Sequence, residues 1–293
     1  MMENIDKAFL QPADSAAREE MRRVVAHDPR ITSARIGRSI LGEDIEVYYI
    51  GKGRVRVAYF AAHHAAESIT CNLLFAFMHA LLTGSVDLKG TARGALLRAF
   101  SFAFIPCVNP DGIELRLHGL GSSPLADRQQ RMADSFDTWQ ANGRGVDLNH
   151  NYDFGFYEYK RLEGELGILP GATRYSGEYP ESEPESSACA NFVRVFSPSA
   201  VVSLHSQGEE IFYSPRDRRT GRIAERLSKI LGYGIAAPEG CAEYGGLCDY
   251  TGALGIPSFT LEVGRGKNPL SEGCIPGIAP SLFSALALLP TML

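Results

Sequence analysis

No stretch of the 293-residue chain concentrates lysine and arginine. Twenty-nine Lys and Arg stand against 34 Asp and Glu, a formal net charge of -5, so the electrostatic footprint of a non-specific nucleic-acid binder is missing. No apolar run reaches the roughly 18 to 20 residues that cross a bilayer, and no membrane partner is expected. The opening MMENIDKAFLQPADS has neither the basic start nor the apolar centre of a secretory signal, which makes the expectation a cytoplasmic protein. Six cysteines form no CxxC pair and no dense framework. Cys71, Cys107 and Cys189 lie in apolar surroundings and read as reduced thiols, while Cys241 and Cys248 are the only close pair. Repeats, low-complexity tracts and long linkers are also lacking. With 45% apolar and 22% charged residues the composition is that of an ordinary globular domain. The expected division is an N-terminal helical extension over 1–34 and one catalytic domain over 35–293.

What remains is alternation of strands and helices. Residues 13–27 pattern as an amphipathic helix. ITSARIGRSI and DIEVYYIG alternate like a hairpin around Leu41-Gly42-Glu43. Val55–Ala62 reads as a third strand, and Glu67–Leu82 as a helix apolar on most faces. A helix near Thr91–Arg98 leads into Phe100–Val108, apolar on both faces as central parallel strands are. Residues 109–180 are rich in Gly, Asn, Asp and Pro with little periodicity, and so long an irregular stretch is usually functional. Ser182 through Glu185 has the form of a capping box opening a helix. Strands are expected at Ala200–Leu204 and Ile256–Val263, and helices at Arg222–Leu231 and Ser281–Leu289. The pattern favours an α/β fold, a mixed and mostly parallel sheet with helices on both faces.

The chemistry concentrates at VAYFAAHHAAESIT, residues 57–70. A buried strand runs into His63 and His64, with Glu67 three residues beyond. An imidazole and a carboxylate so spaced, past the end of a strand, can close on one divalent metal. Open α/β sheets place their ligands at such strand ends. A catalytic zinc takes three protein ligands and keeps a fourth position for water. His205, at the end of VVSLH, is the best third candidate. His27, His79 and His118 read as surface side chains, and His63 as a supporting residue. Glu262 lies within FTLEV, and a carboxylate in an apolar strand must be paired or work as an acid or base. Two roles stay open for it: an ion pair with Arg265, or proton transfer beside a metal.

Six motifs occur in order. They are His64-Ala65-Ala66-Glu67, Asn109-Pro110-Asp111-Gly112, Gly145 through Asn151 (GVDLNHN), Ser182-Glu183-Pro184-Glu185, His205-Ser206 and Phe259-Thr260-Leu261-Glu262. Together they resemble the zinc carboxypeptidases over roughly residues 35 to 290. The resemblance implies one zinc ion on His64, Glu67 and His205, Glu262 as general base and acid, and a mixed sheet of about eight strands.

On the substrate side the sequence departs from that family. Its Asn-Arg pair, which grips a terminal carboxylate, is here Asn149-His150, and a histidine cannot reproduce an arginine fork. The carbonyl-polarising arginine is replaced by Gln140. Arg144 is then a candidate oxyanion stabiliser, or else a surface arginine. Cys241 falls near the position of the family's mobile tyrosine, with Tyr244 the nearest substitute. Cys248 near the specificity position argues against a strong preference for basic side chains. WQANGRGVDLN and TLEVGRGKNP most resemble the bacterial γ-D-glutamyl-L-diamino acid peptidases, which implies a muropeptide substrate cut between D-glutamate and meso-diaminopimelate. Alternatives are a zinc carboxypeptidase with another peptide substrate, an aspartoacylase-like amidohydrolase of N-acyl amino acids, and a silent binding protein on the same fold.

Overall fold

The computed structural model describes residues 5–121, 123–171, 173–214, 218–237 and 244–293. Eight strands form one sheet: β1 (Thr32–Arg38), β2 (Asp44–Gly51), β3 (Val55–Ala61), β4 (Phe100–Ile105), β5 (Ala200–His205), β6 (Glu210–Tyr213), β7 (Gly234–Ile235) and β8 (Ser258–Glu262). Their spatial order is β1-β2-β4-β3-β5-β8-β6-β7. The central four, β4-β3-β5-β8, are parallel, and antiparallel pairs β1–β2, β2–β4 and β8–β6 flank them. The expected mixed sheet is therefore present, with eight strands.

Two-residue alternation sends successive side chains to opposite faces. On β3, Val57, Tyr59 and Ala61 enter one buried core, and Ala58 and Phe60 enter the other. β4 does the same with Phe102 and Phe104 against Ala103 and Ile105. Helices Ile69–Thr83 and Ile275–Leu288 cover the first face, through Leu73, Phe77 and Phe283 among others. Pro184–Phe196 and Leu247–Ala253 cover the second, through Cys189, Phe192 and Leu247. Each fully buried aromatic or aliphatic side chain contributes about 1.5–3 kcal/mol, so strands apolar on both faces are strongly held at the centre. The helix Ser15–Ala26 lays Met21 and Val25 into the first core, beside Phe9.

Three expectations need correction. Among the described residues one helical run is long and apolar enough to cross a membrane, Glu272–Met292, with 67% of its apolar window buried inside the fold. Gly277, Pro276 and Pro280 interrupt its sequence pattern and hid its length, but Pro276 sits in the first turn, where no backbone donor is needed. Residues 109–180 are not uniformly irregular: helices span Pro110–His118, Ala126–Gln130 and Phe156–Glu165. Ser182 is not a helix cap. The N-cap of Pro184–Phe196 is Glu183, without a side-chain capping bond, and Glu185 accepts from the backbone N–H of Ile40 at 3.0 Å instead.

Candidate metal centre and active site

The parallel centre of the sheet brings the carboxyl ends of β3, β5 and β8 to one edge. His205 and Glu262 are register partners on β5 and β8, so their side chains leave the same face. At the end of β3 the chain breaks at Ala62, with φ +55°, a left-handed conformation that costs a non-glycine residue about 1–2 kcal/mol. Two bonds hold it there: the Ala62 N–H donates to Thr70 Oγ1 at 2.9 Å, and its carbonyl accepts from Asn109 N at 3.0 Å. His64 then caps a single 3-10 turn, Ala65–Glu67, which returns Glu67 beside it.

The three expected ligands meet. His64 Nδ1 lies 2.9 Å from Glu67 Oε1, His205 Nδ1 lies 3.1 Å from Glu67 Oε2, and the two Nδ1 atoms are 3.3 Å apart. One ligand atom from each of the three residues lies within 4.8 Å of the others. His64 Nε2 is 3.0 Å from Asp147 Oδ1, the outer carboxylate contact that fixes the orientation of a metal-ligating imidazole. Ser206 N donates to Glu67 Oε2 at 3.2 Å, and Asn268 Nδ2 binds the Ser206 carbonyl at 2.7 Å. His63 supports from below, as expected: it is fully buried, bonds Tyr152 Oη through Nε2 at 2.9 Å and stacks on His205.

The charges fit a cation. Glu67 and Asp147 are buried carboxylates, and among the described residues their only ion pairs are to histidine. Burial opposes the Glu67 charge, yet His64 and His205 bring its pKa down to about 2. Burial likewise opposes an imidazolium at His64, but the two carboxylates outweigh it and hold its pKa well above the usual range. So much negative charge out of water calls for a positive charge between the donors, and two imidazoles with a carboxylate suit zinc. Burial raises the Glu262 carboxyl, and Glu67 raises it further. The alternative partner of Glu262 is excluded, because Arg265 pairs with Glu209.

An open cleft of about 290 Å³ lies over these residues. Gln140, Asn149, His150, Cys248 and Thr260 line it with His64, His205 and Glu262. His150 stacks on Tyr159 at 4.4 Å, and its Nδ1 lies 2.8 Å from the Tyr244 carbonyl. Asn149 Oδ1 accepts from Leu247 N at 3.1 Å. Two expectations are not met. Arg144 does not line the cleft: Nε and Nη2 bind both oxygens of Glu183 at 3.0 and 2.9 Å, so its fork is occupied by a buried carboxylate. Tyr244 also stays out of the lining, with its ring packed so close to Gly155 that a Cβ there would meet Tyr244 Cδ1 at 2.4 Å. Cys241 lies outside the described residues, and the five described cysteines are free thiols.

The cleft also holds residues the sequence reading did not single out: Asp147, Arg174, Phe212, Tyr213 and Asp249. Asp147 lies inside the GVDLNHN motif, but its partner His64 is 83 residues away and cannot be read from the sequence around it. Two other motifs build rather than react. Asn109 caps Pro110–His118, and its Nδ2 donates to the carbonyls of His63, Gln140 and Ala141. A Cβ on Gly112 would meet the Ala141 carbonyl at 2.4 Å, so only glycine fits beneath this knot.

A parallel-centred sheet with a His-Glu-His donor set at its carboxyl edge and a buried glutamate beside it defines a class of metallopeptidase. Residues 17–239 match the zinc carboxypeptidase family, and the chain belongs to it. It is 29% identical over 255 residues to gamma-D-glutamyl-L-diamino acid endopeptidase 1 of Lysinibacillus sphaericus, covering 83% of this chain and 63% of that protein. The chain thus spans less than two thirds of that relative. Its fold superposes on bovine thrombin-activatable fibrinolysis inhibitor with a TM-score of 0.74 at 22% identity, covering 97% of each chain. Murein-tripeptide amidase MpaA from Escherichia coli O157 superposes with a TM-score of 0.57 at 19% identity, over 90% of this chain and 92% of that one. Within that family's fold, His64, Glu67 and His205 form a group that could hold one metal ion.

Proposed function

We propose that the protein hydrolyses the D-γ-glutamyl–meso-diaminopimelate amide of murein peptides, in a cytoplasmic setting that the free thiols suit. The observation that carries the reading is the cleft wall at Asn149-His150. A buried imidazole, stacked on Tyr159 and tied to a backbone carbonyl, occupies the position at which relatives that trim ordinary C-termini are expected to carry an arginine fork. The likeness to a γ-D-glutamyl-L-diamino acid endopeptidase supports the same substrate class.

His64, Glu67 and His205 would hold the zinc, and Asp147 and Ser206 would fix the directions of their donors. Zinc bound there supplies Lewis acidity that polarises a carbonyl and acidifies water. Glu262, raised by burial and by Glu67, takes a proton from water at its carboxylate and returns it to the departing amine of diaminopimelate. Atoms balance as one water added across one amide bond. Phe212 and Tyr213 add aromatic surface to the cleft lining. The test is mass spectrometry of products from L-Ala-γ-D-Glu-diaminopimelate. Release of L-Ala-D-Glu and free diaminopimelate is expected, and an intact peptide alongside cleaved N-acyl amino acids would sink the proposal.

A further inference from the structure

Arg174 is the single Arg or Lys among the described residues lining the cleft. Three other arginines of the fold have carboxylate partners: Arg144 with Glu183, Arg194 with Glu181 and Arg265 with Glu209. Arg174 has no ion-pair partner among the described residues, although Asp147, Asp249 and Glu262 share its cleft. Arg174 is exposed at the cleft, and an exposed guanidinium that no carboxylate of the fold engages can take one from a ligand.

Its backbone is built to stay where it is. Arg174 has φ +74°, an unfavourable value for a residue with a Cβ. Its N–H donates to Asp147 Oδ2 at 2.9 Å, and its carbonyl accepts from the Tyr159 hydroxyl. Both anchors are buried, and both serve the site: Asp147 orients His64, and Tyr159 stacks on His150. The next residue is tied as well, since Asp147 N donates to the Tyr175 carbonyl at 2.8 Å. The Arg174 charge reaches the same wall, where it helps burial to lower the His150 pKa. The wall that carries His150 where an arginine fork is expected thus has an arginine from the loop after Phe156–Glu165.

We propose that Arg174 is a specificity-determining residue whose guanidinium binds a free carboxylate of the peptide substrate. The inference rests on the murein-peptide reading above. That substrate offers three such groups: the α-carboxylate left free by the γ-linkage of D-glutamate, and the two carboxylates of diaminopimelate.

The test uses the zinc-loaded protein as wild type, Arg174→Gln and Arg174→Lys. Substrates are L-Ala-γ-D-Glu-diaminopimelate and its three singly amidated forms. For Arg174→Gln we expect KM on the parent peptide to rise about 10- to 100-fold with kcat within about threefold. Amidating the carboxylate that Arg174 holds should raise the wild-type KM by a similar factor and leave Arg174→Gln unaffected, which also says which of the three it is. Arg174→Lys should fall between, because a point charge replaces a fork. An unshifted thermal midpoint for Arg174→Gln separates the effect from misfolding. The inference is overturned if Arg174→Gln keeps a KM within twofold of wild type, or if all three amidations cost both proteins equally. Calorimetric binding of the same peptides separates the two ideas. Cleavage with an unchanged carboxylate preference in Arg174→Gln removes Arg174 and leaves the substrate. Binding that prefers the carboxylate through Arg174 without cleavage does the reverse, and absence of both defeats both.

Discussion

Asp147 sits between the catalytic and the recognition sides of the cleft: one carboxylate oxygen lies 3.0 Å from His64 Nε2, while the other accepts from Arg174 N. The same oxygen that meets His64 also takes the backbone N–H of Asn149 at 3.0 Å. A single buried acid thus aligns the ligand face and the substrate face.

Replacing it should weaken the metal first. Asp147→Asn removes the charge that stabilises His64 in its ligating orientation, and zinc affinity should drop about 10- to 100-fold. Competition against a chromophoric chelator measures this directly. Unchanged affinity would mean that the contact is only packing.

Glu262→Gln should separate binding from chemistry. The amide is close in shape to the carboxylate but cannot accept the proton, so kcat should fall by about 10²- to 10⁴-fold. Atomic absorption should still find one zinc per chain. Retained turnover in this variant would remove Glu262 from the mechanism.

Arg144→Ala tests stability against catalysis. It leaves Glu183 buried, with Asn142 Nδ2 at 2.7 Å as its nearest remaining donor. Because Arg144 is itself partly exposed, the expected loss is about 1–3 kcal/mol, below that of a fully buried pair. Thermal melts should record it, while kcat per folded molecule stays within about threefold. An oxyanion role would instead lower kcat about 10²- to 10³-fold with an unchanged melting temperature.

Glu185 should make stability depend on pH. Burial lifts its carboxyl to about 7, with Asp111 and Glu183 as acidic neighbours. The unfolded value is about 4.3, so the folded state holds the proton more tightly. Its contribution is complete below the unfolded value, is lost as pH rises through the folded one, and is constant above. Wild type should therefore melt lower at pH 8 than at pH 5, by up to about 3 kcal/mol of stability. Glu185→Gln should flatten that slope, and an equal slope in both proteins would assign it to another group.

The fold was legible where period and burial agree. The strands Val55–Ala61, Phe100–Ile105 and Ala200–His205 announce themselves by apolar residues on both faces, and the ligands follow at strand ends. His64, Glu67 and His205 could be picked because they stand at or just past the ends of buried strands, and Glu262 because a carboxylate inside an apolar strand is costly. Partners across the chain could not. Nothing local to Arg144 reveals that Glu183 holds it, and nothing local to Arg174 reveals that Asp147 and Tyr159 aim its loop into the cleft. The short strands β6 and β7 were missed for a similar reason, since pairing with β8 and with each other defines them more than their composition does.

The left-handed break at Ala62 has a further consequence. It turns His64 and Glu67 back toward a strand end whose own donor, His205, is far along the chain. An ion shared by the three would work as a rivet through the sheet edge, fastening segments that the backbone joins only by a long detour. Its binding free energy then becomes part of the folding free energy. Chelation should lower the melting temperature and open this edge to proteases before the opposite one, so zinc supply would govern how long each copy survives as well as how fast it works.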